Sequence, residues 1–317
     1  MMAEEIVAGR DIKVTDFHRR DDNISSVVAK RPMTRGNQNG VGSEKIIHRT
    51  RDGELEYQPD DLTVEEPLEI RVNGKTLAIT MRTPGQDEEL AAGFLLSENI
   101  VRKSEHIVKI ARPNQYLNRA NVIDVKLPAG QLYQFGSAKR FGTITSSCGI
   151  CGKESIAAVR QNFPPVQTRH EERIDLPTLL SLPRLLRKHQ QDFDRTGGLH
   201  AAAVFDLHGN AGIVREDIGR HNAVDKVIGR ALLDQHLPLD RHLLLVSGRA
   251  SFEIVQKALA AGIPIIASVS APSTLAVEFC RENNQTLIGF LRPPSFNLYS
   301  HVERVILDSP NESEIGN

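Results

Sequence analysis

The pattern of hydrophobic and polar positions divides this 317-residue chain into three stretches of different texture. From about Arg19 to Arg51 the residues are polar, rich in Arg, Asn, Gly and Ser, with no sustained apolar period. That predicts a flexible N-terminal region over 1–55, because such a segment buries too little apolar surface to offset its ordering entropy. From Tyr57 the pattern tightens. Leu68-Glu69-Ile70-Arg71-Val72 alternates as a half-buried strand, Asn73-Gly74 is a hairpin turn, and Thr76 to Met81 is the partner strand. Pro84-Gly85 ends that strand, and Asp87 opens a helix with Leu90, Phe94 and Leu95 on one face. Val122 to Leu127 alternates again, so residues 56–160 read as a small α+β subdomain.

A polar, proline-containing stretch from Asn162 to Asp175 precedes a second domain over 175–317. A helix spans about Leu179 to Asp192. Strands Ala201–Leu207 and Ala211–Arg215 flank His208-Gly209-Asn210, and Asn222 to Leu233 is helical. A regular alternation follows: strand Leu243–Ser247, helix Phe252–Ala261, strand Pro264–Val269, helix Thr274–Arg281 capped by Ser273, and a final strand Thr286–Leu291. Strands alternating with short helices imply βαβ units and a parallel sheet, so the fold class is α/β with an α+β N-terminal part.

Composition narrows the functional classes. Hydrophobic residues make up 40% and charged residues 25%, as in globular proteins. The formal net charge of -1 gives no electrostatic argument for nucleic acid or membrane, and the absence of Trp argues against base-stacking surfaces. No apolar run approaches the roughly 18 residues that span a bilayer. Met1-Met2-Ala3-Glu4-Glu5 lacks an apolar signal core, and three cysteines do not make a disulfide framework. These features predict a cytoplasmic protein that binds neither nucleic acid nor membrane.

The chemistry concentrates in Ser146-Ser147-Cys148-Gly149-Ile150-Cys151-Gly152-Lys153. Small residues leave space for another molecule beside the sulfurs. The stretch from Lys153 to Gln161 reads as a helix whose N-terminal dipole, with the Lys153 charge, would lower a nearby thiol pKa. Four readings of Cys148 and Cys151 stand at this point, the plainest being two structural cysteines. Half of a zinc site would need two more ligands, and no second C-x-x-C or H-x-x-x-H occurs. A thioredoxin-like pair belongs close after a short N-terminal strand, whereas about 147 residues precede this one. A sulfur-carrying thiol needs one accessible, low-pKa cysteine on a mobile loop. Cys280 falls in an apolar helical period beside Phe279 and reads as core.

A second candidate site lies at strand ends. Val246-Ser247-Gly248-Arg249 and Val269-Ser270-Ala271-Pro272-Ser273-Thr274 each close a strand and open a helix. Ligands of parallel α/β sheets bind beyond strand carboxyl ends, and free helix N–H groups suit phosphate; ordinary capping is the alternative. Neither loop matches a Walker A sequence or G-x-G-x-x-G. His200 sits among small residues in Gly197-Gly198-Leu199-His200-Ala201-Ala202-Ala203. His221 and Asn222 follow Arg215-Glu216-Asp217-Ile218-Gly219-Arg220, where a solvated histidine and a helix-capping Asn are the competing readings.

Five ordered motifs together resemble the FdhD/NarQ family, the formate dehydrogenase accessory sulfurtransferases. They are S-S-C-G-I-C-G-K, G-G-L-H-A-A-A, R-E-D-I-G-R-H-N-A-V-D-K, S-G-R-A-S-F-E-I-V-Q-K and S-A-P-S-T-L-A-V-E. The resemblance implies a sulfur carrier that takes persulfide sulfur from a cysteine desulfurase (IscS-like) and passes it to the molybdenum cofactor of formate dehydrogenase. It implies a persulfide on Cys148, with Cys151 as its C-x-x-C partner. The implied cofactor-binding segment is Phe290, Leu291, Arg292, Pro293, Pro294 and Ser295, with Arg249 and Arg292 suited to phosphate. The bound substrate would be Mo-bis-molybdopterin guanine dinucleotide, through its guanosine diphosphate groups, with no permanent metal. Partners would be the desulfurase, the formate dehydrogenase catalytic subunit and a second copy in a homodimer. The implied C-terminal fold is a cytidine-deaminase-like three-layer α/β domain with a mostly parallel sheet. Deaminase chemistry is not implied, because the H-x-E and P-C-x-x-C signature is missing and Ala202 stands where the Glu would be. Family members usually show Pro-Gly where this chain has Pro293-Pro294, which fixes φ and removes an N–H donor. A cofactor-binding chaperone that transfers no sulfur and a thiol-disulfide switch remain alternatives.

Overall fold

The computed structural model describes residues 40–50, 53, 55–113, 121–128, 163–167 and 173–307. The chain before Gly40, and with it most of the expected flexible region, lies outside the described residues. Its last part is a correction. Strand β1 (Val41–Arg49) pairs antiparallel with β2 (Leu55–Thr63), from Val41 opposite Thr63 to Arg49 opposite Leu55. Both faces of this ribbon are largely exposed, with Leu55 at 55% and Tyr57 at 58%, so no apolar period marks it. Its base is tied down by Thr63 Oγ1 donating to Thr196 Oγ1 at 2.9 Å and by Arg195 against Asp61 at 2.8 Å.

Strands β3 (Glu66–Val72) and β4 (Lys75–Arg82) form the expected hairpin, and Asn73 and Gly74 both take positive φ at its turn. Helix α1 (Asp87–Ser97) follows, then β5 (Lys109–Ala111) and β6 (Val122–Lys126). The sheet order is β4-β3-β6-β5, with β3 and β6 parallel. Leu68, Ile70 and Val72 alternate inward from β3 to meet Leu90, Leu95 and Leu96 of α1 in one core.

The second half comprises β7 (Ile174–Asp175), α2 (Leu176–Lys188), α3 (Gln191–Thr196), β8 (His200–Asp206), β9 (Ala211–Asp217), α4 (Arg220–Leu233), β10 (His242–Val246), α5 (Phe252–Ala260), β11 (Ile265–Ser268), α6 (Thr274–Glu282), β12 (Thr286–Arg292), β13 (Ser295–Ser300) and β14 (Val305–Ile306). Asp175 caps α2 by accepting from Thr178 N, and Ser273 caps α6 as expected, accepting from Ala276 N. The main sheet runs β13-β12-β11-β10-β8-β9. Its parallel register belongs to the central β10, β11 and β12, and β8, β9 and β13 pair antiparallel at the flanks. β12 is therefore not the final strand. Three layers result. Ala201, Ala203 and Phe205 face Leu179, Leu182 and Leu186 of α2, whereas Ala202 and Val204 share the opposite core with Val224, Val227, Ile254 and Phe279. Burial on both faces explains the near-continuous apolar runs of β10 and β11. Among the described residues no helix is long and apolar enough to cross a membrane.

The two halves read from the sequence share a core: the cluster that holds Leu68 and Leu90 also holds Val224, Val227 and Ile228 of α4. The joint is backbone against backbone. A Cβ on Gly93 of α1 would lie 1.9 Å from the Asp225 carbonyl oxygen, and one on Gly229 of α4 would lie 1.8 Å from that of Glu89. Buried charges flank the contact. Lys257 Nζ reaches both Asp225 carboxylate oxygens at 2.7 Å, where Ser97 Oγ also donates to Oδ1 at 2.7 Å. Arg215 grips Glu89 with two bonds, at 2.6 and 2.8 Å.

Gly93→Ala and Gly229→Ala should each destabilise the protein by at least about 1–3 kcal/mol, since only helix separation relieves the clash. Urea-denaturation midpoints measure this, and a midpoint unchanged in both variants would show that the helices part freely.

Candidate functional site

Three parallel strands ending together create one chemically distinct sheet edge. β10, β11 and β12 all terminate there; antiparallel β8 begins there at His200, whose register partner Asp217 ends β9. A chain of hydrogen bonds holds the edge. Ala201 N donates to Ser247 Oγ at 2.9 Å, Ser268 Oγ donates to the Gly248 carbonyl at 2.7 Å, and Ala250 N to the Ala271 carbonyl at 3.2 Å. Phe290 N then donates to the Ser270 carbonyl at 3.0 Å.

The turn from Asp217 to Asn222 is built around a buried carboxylate. Asp217 accepts from Gly219 N at 2.8 Å, Asn222 Nδ2 at 3.0 Å and Thr83 N at 3.3 Å, and pairs with fully buried Lys226 at 2.8 Å. Asn222 is therefore no helix cap. Gly219 occupies the cap position, α4 starts at Arg220, and Asn222 instead fastens the helix to β4, donating to the Met81 carbonyl at 2.7 Å. With these polar groups committed to the scaffold, Arg220 and His221 are left to the sheet edge. A methyl on Gly248 would lie 3.2 Å from His200 Nδ1 and 3.5 Å from Arg220 Cβ and Cδ. His221 Nε2 lies 3.3 Å from Ser251 Oγ and 3.8 Å from Glu253 Oε2.

Positive charge dominates this crevice. Among the described residues neither Arg220 nor Arg249 pairs with a carboxylate, and Arg220 Nε is buried without a hydrogen-bond partner. Half-buried His200 is held below the usual histidine range by burial first, then by Arg220, His221 and Arg249, with Asp217 opposing weakly. Burial alone would raise Glu253. Hydrogen bonds from His221, its own backbone N–H and Ser251, with the His221 charge, outweigh that and hold it at about 2.

The segment Phe290–Ser295 is a hairpin rather than a strand-end loop. Phe290, Leu291 and Arg292 belong to β12, Pro293 and Pro294, joined by a cis peptide bond, make the turn, and Ser295 opens β13. Leu291 is fully buried in the core below α2, so its side chain does not line the crevice. Phe290 is exposed at positive φ in a bulge, and Arg292 Nε donates to the Val269 carbonyl at 2.9 Å. Arg249 is exposed in the loop after β10. The structure thus brings Arg249, Phe290 and Arg292 to one sheet edge and adds Arg220, His200 and His221. Arg220 is the residue that inspection of the sequence passed over; the Gly-Arg-His run at a helix start was its signal. Cys148 and Cys151 lie outside the described residues, as does the expected helix from Lys153 to Gln161. Cys280 is buried in the core, and burial pushes its thiol well up, which makes it inert. Among the described residues no group of three or more His, Cys, Asp or Glu could hold a metal ion.

Fold and crevice together define a three-layer α/β protein with a cation-rich site at its strand ends. The chain belongs to the FdhD/NarQ family, whose profile matches residues 63–306. Among its relatives, the sulfur carrier protein FdhD of Streptomyces coelicolor is 52% identical over 272 residues, covering 84% of this chain and 96% of that one. The protein of the same name from Sulfolobus acidocaldarius is 43% identical, covering 82% and 97%. A crystal structure of a proposed formate dehydrogenase accessory protein from Desulfotalea psychrophila shares the fold, with a TM-score of 0.68 at 24% identity, over 84% of this chain and all (100%) of that one.

Because the folded Glu253 value lies below its ordinary 4.5, the stability it contributes is present above that value and is lost as pH falls toward about 2. Glu253→Gln should therefore be less stable than wild type near about pH 6, with the difference shrinking as pH falls from about 4.5 toward about 2. Urea midpoints across that range test it, and a pH-independent difference would refute the linkage.

Proposed function

We propose that this protein is a sulfur carrier of formate dehydrogenase maturation. Cys148 takes persulfide sulfur from an IscS-like cysteine desulfurase and delivers it to Mo-bis-molybdopterin guanine dinucleotide before that substrate enters the dehydrogenase. The loading step is an exchange. The Cys148 thiolate forms a bond to the terminal sulfur of the donor persulfide, the donor S–S bond breaks, and the donor thiolate leaves. The observation that carries the reading is the relationship itself: relatives named sulfur carrier protein FdhD match more than four-fifths of the chain, at 43–52% identity. The C-x-x-C motif at Cys148 and Cys151 supplies the thiol this work needs.

The strand-end crevice supports the acceptor half of the reading. Arg249 and Arg292 suit the phosphates of guanosine diphosphate groups, and exposed Phe290 offers a face to a purine ring. A ligand with two guanine nucleotides also suits a two-fold symmetric homodimer.

Intact mass after incubation with a cysteine desulfurase and cysteine should show one added sulfur that reductant removes. Cys148→Ala should abolish both this mass gain and dehydrogenase maturation, while Cys151→Ala keeps part of the maturation. Full maturation by Cys148→Ala would establish the cofactor-binding chaperone instead, and equal total loss from both substitutions the thiol-disulfide switch.

Arg249→Ala and Arg292→Ala should each weaken guanosine diphosphate binding by about ten- to a hundred-fold, the value of a charge-assisted bond, with Cys148→Ala close to wild type. Calorimetry decides it. Unaltered affinity in both arginine variants would place the nucleotide elsewhere.

A further inference from the structure

At the opposite end of the main sheet, where β10 and β11 begin, the surface dips into a hollow of about 440 Å³. Buried Leu96 at the end of α1 and buried Leu259 at the end of α5 line its floor, with Phe163 and Pro238 as walls. The Phe163 wall is pinned to the end of α6. Val166 N donates to the Asn283 carbonyl at 3.1 Å, and the Val166 carbonyl accepts from Asn284 Nδ2 at 3.2 Å. The Pro238 wall is equally close-set, since a Cβ on Gly262, at positive φ, would lie 2.8 Å from Pro238 Cβ. Pockets that take a ligand or an anchoring side chain measure roughly 300–1,000 Å³ and are mostly apolar, as this one is. Its mouth is positively charged. Arg102 and Lys103 are both exposed, and neither meets a carboxylate among the described residues; Arg102 Nε donates only to Asn99 Oδ1, at 2.9 Å. The one lining carboxylate, Asp240, is engaged elsewhere.

We propose that this hollow is the docking seat of the persulfide donor. An acidic segment of the cysteine desulfurase sets an apolar side chain over Leu96 and Leu259 and its carboxylates against Arg102 and Lys103. Opposite charge at the rim speeds encounter and selects the partner, while an apolar anchor in a water-excluding pocket supplies most of the affinity. The choice of the desulfurase rests on the sulfur-carrier function proposed above, and two observations favour it. The first is the tether. Phe163 follows Cys148 by fifteen residues, so the thiol lies within about 50 Å of the hollow however that stretch runs. The second is the separation from the crevice. The hollow lies where β10 starts and the crevice where it ends, one five-residue strand or about 17 Å apart. A carrier whose thiol meets donor and acceptor in turn needs two seats that do not overlap, and the two ends of the same strand supply them.

The test measures binding of the full chain to a cysteine desulfurase by calorimetry, with the formate dehydrogenase catalytic subunit as a second probe. Arg102→Glu combined with Lys103→Glu should weaken desulfurase binding by about ten-fold or more and remove its decline with salt, leaving dehydrogenase binding as in wild type. Ala260→Arg, which puts a long side chain into the hollow and removes no cation, should weaken it comparably. Should Ala260→Arg fail to fold, the two exposed charge reversals decide alone. Sulfur gain is read in parallel by intact mass. With desulfurase and cysteine, the charge-reversed protein should need about ten-fold more desulfurase for half-maximal loading and reach the same plateau rate. With inorganic polysulfide, a donor too small to need a seat, it should load like wild type. Unaltered desulfurase affinity in the charge-reversed protein, or slower loading from polysulfide, would overturn the proposal. So would weakened binding of the dehydrogenase in place of the desulfurase, or a changed oligomeric mass in light scattering, which assign the hollow to the dehydrogenase or to a second copy. A protein that binds the desulfurase through Arg102 and Lys103 yet gains no sulfur from either donor refutes the carrier reading alone. One that gains sulfur with no dependence on those residues refutes the docking seat alone.

Discussion

The contact of α1 with α4 is the constraint on which the rest of the molecule depends. Gly93 and Gly229 let two helix backbones touch, and no side chain lies between them to be exchanged for another. Once the backbones touch, the carboxylates of Glu89 and Asp225 are carried into the interior, where Arg215 and Lys257 must answer them. Such buried pairs add little net stability, because desolvation offsets much of their attraction, but breaking one leaves a costly isolated charge. Their effect is to permit one relative placement of the helices. That placement delivers the start of α4 to the sheet edge, and Asp217, Asn222 and Lys226 then lock it against β4.

The crevice arises where antiparallel strands meet parallel ones. In a purely parallel sheet, only strand ends and helix starts would gather at this edge. Here β8 runs the other way and begins where its neighbour stops, placing a histidine among the loops. The outcome is a local surplus of positive charge in a chain whose formal net charge is only -1, so whole-chain charge says nothing of this site.

Much of the fold was legible in the sequence because burial imposes a period. β3, β4 and α1, and the alternation from β10 to β12, have apolar faces that meet a core, and their bounds fall within a few residues of those read from the pattern. β1 escaped notice because a two-stranded ribbon with Lys45, Glu44 and Leu55 turned outward has no buried face to generate one. β13 went unread because its residues other than Ser300 are exposed or only half-buried, which leaves its apolar period weak. The boundary near Asn162–Asp175 is real as a change of composition, but the core ignores it, since tertiary contact between α1 and α4 leaves no local mark. The site was half legible for the same reason. Arg249 after Gly248 in a strand-to-helix loop and His200 among small residues stand out in a line of text; Arg220 also follows a glycine, but it acquires its meaning only from β8 and β10, elements remote in sequence.

The departure at Pro293-Pro294 carries a consequence of its own. With no N–H group on either residue, the tip of the β12–β13 hairpin presents backbone carbonyls and ring methylenes alone. A nucleobase edge seeking acceptors, or a ring seeking a flat apolar neighbour beside Phe290, would find this tip congenial, and an anion would not. The tip thus sets acceptors and hydrocarbon directly beside the Arg292 cation, so one short hairpin presents an apolar face and a charge side by side.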